Sequence, residues 1–417
     1  MGRVRAGQLR LGEACEMLGI SYRQGKRIWA RYGKGGAQAL QHGNCGRASN
    51  RAYSEKFRQA VLRRVQERYE DFGPTLAAEH LASDDEMLVH AETLRCWMKQ
   101  AGMWRRQRRR SAYRQRRDRK AHFGELVQLD GSFHGWLEER GPRGCLMHMV
   151  DDATTTVLGR FAEEETTWAA ADVLRRWIEC YGVPGALYTD WKNVYVRAAS
   201  EREQREGLVP VTQFGRMCQK LGIRIIAASS PQAKGRVERA HGTHQDRLVK
   251  KLRLAQIDSY TAANRYLEEH YLAAHNRRYA QTAASDADYH RRRPTTRQLE
   301  EVFQLEEERV VSADWVVRYK NRLLQLERQS RHWAPAKTRV LVRENEVGQL
   351  QIRYREQTVP FREVTPAFLR RRSEGRGAAH SPAPPSPKPP RKLVPAARHP
   401  WRQTYKQIPT PAFSWGW

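Results

Sequence analysis

Between Leu9 and Gly33, apolar positions fall on two helical faces. Leu11, Ala14, Cys15 and Leu18 form the first, and Ile28, Trp29 and Tyr32 the second. Gly19 separates the runs and Ser21 can cap the second. Arg23, Lys26, Arg27 and Arg31 lie on the outer side, so the pattern predicts a helix-turn-helix with a basic second helix. Phe57, Val61, Leu62 and Val65 mark another helix. Thr75 to Trp104 repeats the design of helix, break, helix. There Leu94, Trp97 and Met98 pack, and Thr93, Arg95, Lys99 and Gln100 are free to face DNA.

Shorter apolar runs follow. ELVQLD (Glu125 to Asp130), CLMHMVDD (Cys145 to Asp152), TTVLGRF (Thr155 to Phe161), GALYTD (Gly185 to Asp190) and IRIIAAS (Ile223 to Ser229) read as strands. Thr166 to Gly182 and Val211 to Gly222 carry helical spacing, and Ser230 followed by Pro231 opens a further helix. Three leading antiparallel strands and later parallel ones predict a mixed α/β sheet flanked by helices. The first and fourth strands are expected as neighbours, ending in Asp130 and Asp190. Tyr260 to Tyr279 reads as helical. After Leu305, short strands with a turn at NEVG (Asn345 to Gly348) predict a small β-barrel.

The expected organisation is a helix-turn-helix domain (1–41), a linker (42–52) and a second helix-turn-helix or winged-helix-like domain (53–103). A basic linker (104–122), a catalytic core (123–290), a small β-barrel (305–370) and a disordered Pro-rich basic tail (371–417) follow.

Charge sharpens this picture. The 417 residues include 75 Lys and Arg against 46 Asp and Glu, a net charge of +29. The excess is clustered: ten Lys or Arg lie between Trp104 and Lys120, including Arg105, Arg106, Arg108, Arg109 and Arg110. That is the footprint of a nucleic-acid binder. Cys15, Cys45, Cys96, Cys145, Cys180 and Cys218 include no CxxC pair, which argues against a zinc site or disulfide framework and for reduced, cytoplasmic thiols. No apolar run is long enough to span a membrane.

Within the basic stretch SSPQAKGRVERAHGTHQDRLVKKLR (Ser229 to Arg253) stands one early acid, Glu238. On a helix, Val237, Ala240, His244 and Leu248 share the core face, and Arg236, Arg239, Arg247 and Lys250 point to solvent or DNA. Glu238 lies on the border with Lys234, His241 and Gln245. Asp130, Asp190 and Glu238 are therefore expected to converge. Three close carboxylates need cations between them, and oxygen-only ligands suit Mg²⁺ or Mn²⁺. Two such ions can activate a nucleophile and stabilise the leaving oxygen of a phosphodiester. Lys234, Arg236, Arg239 and His241 are assigned to DNA. Asp151, Asp152, Glu163, Glu164 and Glu165 are expected to be solvated.

QLDGSFHGW (Gln128 to Trp136), VDDATTTVLGRF (Val150 to Phe161), YGVPGALYTD (Tyr181 to Asp190), the SPQAKGRVER block and HPWR (His399 to Arg402) resemble bacterial insertion-sequence transposases with an integrase-type core, the ISNCY group in particular. The resemblance implies an RNase H-like fold, a catalytic triad of Asp130, Asp190 and Glu238, and two Mg²⁺ ions. It also implies terminal inverted repeats and target DNA as partners, and a homo-oligomeric synaptic complex in the bacterial nucleoid. The charged insert Arg197 to Leu208 widens the spacing between Asp190 and Glu238 beyond that of retroviral integrases. A non-catalytic DNA-binding regulator with a decayed core, or a nuclease that only hydrolyses, are the alternatives.

Overall fold

The computed structural model describes residues 1–41, 52–105, 117–228, 235–327 and 335–365. The linker expected at 42–52, apart from Ala52, most of the basic run, the helix start at Ser230 and Pro231, and the tail expected from 371 lie outside them. The chain divides into two compact units. One takes Met1–Asp118, Ser132–Gly144 and Ser230–Ala273, the other Arg119–Gly131, Cys145–Ser229 and Ala274–Trp417.

The first unit opens with α1 (Gly2–Arg5), α2 (Leu11–Met17) and α3 (Tyr22–Gly35). Gly19 takes a φ of +62° just past α2, and the Ser21 hydroxyl caps α3 by accepting the Gln24 N–H at 3.3 Å. α2 crosses α3 at Gly25, where a Cβ would stand 2.0 Å from Cys15 Sγ. α4 (Glu55–Arg68), α5 (Pro74–Asp84) and α6 (Ala91–Gln100) enclose a separate core of Val61, Val65, Tyr69, Leu76, Leu94 and Met98.

The second unit is built on β1 (Val127–His134, up to Gly131), β2 (Gly144–Asp151, from Cys145), β3 (Val157–Ala162), α7 (Thr167–Tyr181), β4 (Ala186–Thr189), α8 (Glu201–Glu206), α9 (Gln213–Lys220) and β5 (Arg224–Ala227). The sheet runs β3-β2-β1-β4-β5, with β2 and β3 antiparallel and β4 parallel to both β1 and β5. This mixed order is consistent with an RNase H-like core. Val173, Leu174, Trp177 and Ile178 of α7 and Phe214, Met217 and Cys218 of α9 cover it in one apolar cluster. β1 runs past Asp130, so that residue stands inside the strand rather than at its end. The charged insert forms α8 through a capping box of Ser200 and Glu203.

α10 (Gly235–Leu254) belongs to the first unit, as do α11 (Tyr260–Tyr266) and the π-turn Leu267–Tyr271. Val237, His244 and Leu248 are buried as the periodicity requires, and His244 Nδ1 meets the Tyr271 hydroxyl at 2.7 Å. Arg247 departs from the expected outward face. It is buried and ion-paired with Glu79 of α5, while Lys250 reaches over the Phe72 ring at 5.7 Å. The helical period correctly separates faces but cannot show that α4 to α6 supply a second packing partner.

α12 (Leu272–Tyr279) and α13 (Thr296–Val302) lead to β6 (Leu305–Val310), β7 (Val316–Tyr319), β8 (Arg322–Leu326), β9 (Arg339–Glu344), β10 (Leu350–Tyr354), β11 (Gln357–Val359) and β12 (Phe361–Val364). Where a small β-barrel is expected, these strands form two sheets, β11-β10-β9-β6 and β12-β8-β7, around one apolar core. The turn at Asn345 to Gly348 joins β9 to β10 as an antiparallel pair.

Candidate active site

The register of the sheet sets the site. Parallel pairing puts Gln128 of β1 opposite Tyr188 of β4. Two residues further along come Asp130, still within β1, and Asp190, just past the end of β4. A third carboxylate joins them from the connection between β3 and α7. One oxygen each of Asp130, Glu165 and Asp190 lie within 4.8 Å of one another.

Glu165 is held from several directions. Thr166 beside it caps α7, its hydroxyl accepting the Ala169 N–H at 3.1 Å. Gly131 leaves the space the carboxylate needs, since a Cβ there would lie 2.6 Å from Glu165 Oε2. The Glu165 side chain is 6% exposed, accepting the Tyr195 hydroxyl at 2.8 Å and the Lys192 ammonium at 2.5 Å. The same ammonium is 3.3 Å from Asp190 Oδ2 and 4.0 Å from Asp130 Oδ1.

Burial opposes the charge on Lys192, but its hydrogen bond to Glu165 and the charges of Glu165, Asp190 and Asp130 outweigh it and raise its pKa. Burial, then the Glu165 charge, push the Tyr195 phenol well above its ordinary value, so it stays a protonated donor. Neighbouring carboxylates repel unless a cation lies among them, and here the Lys192 ammonium does. The all-oxygen donor set also fits a hard divalent ion such as Mg²⁺ or Mn²⁺.

Three acids expected to be solvated are not. Asp151 and Asp152 are buried. Asp151 accepts the Gly124 N–H at 3.0 Å and the Thr154 N–H at 2.7 Å, and burial raises its pKa in spite of those bonds. Asp152 accepts the Lys120 N–H and the Gln128 amide, each at 2.9 Å. Both tie the chain entering β1 to the end of β2. Glu165 is the third. Glu163 and Glu164 are exposed. Nothing in the run EEE separates its last member from the other two, and Lys192 and Tyr195 carry no local motif. Their roles appear only when the chain after β4 is seen to bend back to Glu165.

Glu238 lies in the first turn of α10, exposed, in the unit that does not contain Asp130 and Asp190. Among residues expected at DNA, Arg23, Lys26, Arg27, Arg31, Arg105 and Arg239 are exposed. Arg236 and His241 are half-buried, and Arg236 donates to the Arg117 carbonyl at 3.1 Å. Arg106, Arg108, Arg109, Arg110 and Lys234 lie outside the described residues. Among the described residues no helix is long and apolar enough to cross a membrane.

No family model matches the chain. Curated relatives do. The chain is 36% identical over 364 residues to a protein named "Putative transposase y4bF" from Sinorhizobium fredii (strain NBRC 101917 / NGR234), covering 87% of this chain and 79% of that one. It is 28% identical over 433 residues to the "Transposase for insertion sequence IS1202" of Streptococcus pneumoniae, covering 94% and 90%. Among solved structures, the HTLV-2 integrase catalytic core domain in complex with magnesium is 18% identical at a TM-score of 0.27, covering 36% of this chain and 87% of that one. An integrase chain of the simian T-cell lymphotropic virus intasome in complex with the PP2A regulatory subunit B56 gamma is 16% identical at 0.31, covering 72% and 98%. These structural overlaps are too loose to bear on the chemistry here.

Proposed function

The chain belongs to the transposases of bacterial insertion sequences, and from that membership we propose that it binds the terminal inverted repeats of its element, cuts the ends and joins them to target DNA. Asp130, Asp190 and Glu238 are its catalytic carboxylates. They would hold two Mg²⁺ ions, which when bound supply charge stabilisation for phosphodiester displacement. Water cuts the end to free a 3′-hydroxyl, and that hydroxyl attacks a target phosphodiester in line. The basic face of α3 and the residues around Glu238 grip the phosphates, without sequence information of their own.

The observation that carries this reading is that Asp130 within β1 and Asp190 just past the end of the neighbouring parallel β4 bring their oxygens to one point. Glu238 enters through the SPQAKGRVER resemblance and its place in the first turn of a basic helix. A second reading of the third ligand is favoured by one distance: Glu165 already shares the cluster. A cleavage and strand-transfer assay on a terminal-repeat duplex with Mg²⁺ separates the possibilities. Asp130→Asn, Asp190→Asn and Glu238→Gln are expected to abolish cutting, and Glu238→Gln to bind DNA as tightly as the parent or more so, because a negative charge near phosphate is lost. Cutting at the parental rate by Glu238→Gln, with loss in Glu165→Gln, would move the third ligand to Glu165. Cut ends without joined product would leave a nuclease, and binding without cutting by the parent a regulator.

A further inference from the structure

Lys192 puts a permanent positive charge where a divalent ion would compete for the same oxygens. Its ammonium is 2.5 Å from Glu165, 3.3 Å from Asp190 and 4.0 Å from Asp130. Its side chain is nevertheless 42% exposed, whereas those of Glu165 and Asp130 are 6% and 14% exposed. Glu165 and Asp130 are thus seated in the protein, while Asp190, at 29% exposure, and the cation stand nearer the rim. We propose that Lys192 is a displaceable counter-cation of the carboxylate cluster, holding Asp130, Glu165 and Asp190 together before metal arrives and weakening metal binding until it is released. This rests on the proposed metal site at Asp130 and Asp190. Glu165 acts as the tether: it is fixed by the Tyr195 hydroxyl at 2.8 Å and by the α7 cap beside it, so an ammonium leaving Asp130 and Asp190 can remain paired with Glu165. Lys192 is on this account a positioning residue, acting through the occupancy of the site.

The test is Mn²⁺ binding to the full chain without DNA, followed by the electron paramagnetic resonance of the free ion. Lys192→Met is expected to bind Mn²⁺ about tenfold tighter than the parent, because a unit charge a few ångströms from the ion no longer competes. Lys192→Arg keeps the charge and should stay close to the parent. A merely structural lysine predicts the opposite, since its loss lets three like charges splay and weakens binding. Asp190→Asn distinguishes the two layers. If it loses Mn²⁺ and Lys192→Met binds no tighter than the parent, the counter-cation role fails and the metal site stands. If it binds as the parent does, the metal site fails and this proposal with it. Should Lys192→Met unfold in metal-free buffer, recovery of its circular dichroism by Mn²⁺ supports the role, and unfolding that Mn²⁺ does not reverse overturns it.

Discussion

Tyr195 shows how a site of like charges is kept in place by a single neutral donor. Its hydroxyl and the Lys192 ammonium share the nearly buried Glu165 carboxylate. Tyr195→Phe removes the donor and leaves the oxygen unsatisfied, at a cost of about 1–3 kcal/mol. Faster hydrogen exchange at β1 and β4 amides in that variant, with exchange in α4 to α6 unchanged, is the expected result. Unchanged exchange at β1 would mean that water replaces the phenol. The residue scale is also where sequence reasoning met its limit. Asp130 and Asp190 were legible because each closes an apolar run. Glu165, Lys192 and Tyr195 were not, because what joins them is a loop closure between β3, α7 and the chain after β4, and no periodicity records it.

Elements formed where the local code was strong. Ser21, Thr166 and Thr212 cap α3, α7 and α9 as their positions before apolar runs require. The acid-rich LEEERV of β6 has no apolar alternation to mark it as a strand, and it sits at a sheet edge, where charged side chains are tolerated. The clearest element-scale dependence is the α2 and α3 crossing. Gly25→Ala would gain about 1 kcal/mol in helix propensity. Against this, a Cβ 2.0 Å from Cys15 Sγ must turn the buried thiol out of its place or part the helices, an overpacking cost of about 1–3 kcal/mol, so the clash is expected to win. A lowered melting transition for Gly25→Ala, recovered when Cys15→Ala is added, checks this. A parental transition in the single variant would show that the Cys15 thiol gives way without loss. If the exposed outer face of α3 lies on phosphate, Arg27→Ala and Arg31→Ala should each reduce the slope of log affinity against log salt by about one on a terminal-repeat duplex. An unchanged slope would remove α3 from the interface.

At the scale of the whole molecule, a net charge of +29 would be self-repelling were it not interrupted by acids set among cations. Glu306 is the main example inside the second unit. Its side chain is 8% exposed and meets Arg216 at 2.7 Å, Lys220 at 2.6 Å and Arg343 at 2.8 Å, joining α9 of the core to β6 and β9. Burial alone would raise its pKa, but the Lys220 hydrogen bond and the Arg216, Lys220 and Arg343 charges outweigh it and hold it below the usual carboxyl range. A depressed folded pKa stabilises the native state above the unfolded value and loses that contribution as pH falls through the folded one. Acid should therefore loosen the β-strand region against the core before the core itself melts. Glu306→Ala should do so at neutral pH, because it leaves three cations facing one another, at a cost of about 3 kcal/mol or more. Limited proteolysis between α13 and β6 reads this directly. Cleavage there should rise in the variant at neutral pH and in the parent below about pH 4.5, the ordinary carboxyl range, with the α7 and β2 segments still protected. If the variant is cut no faster than the parent, the apolar contacts of Phe303 and Leu305 with the core hold the junction without the ion pairs.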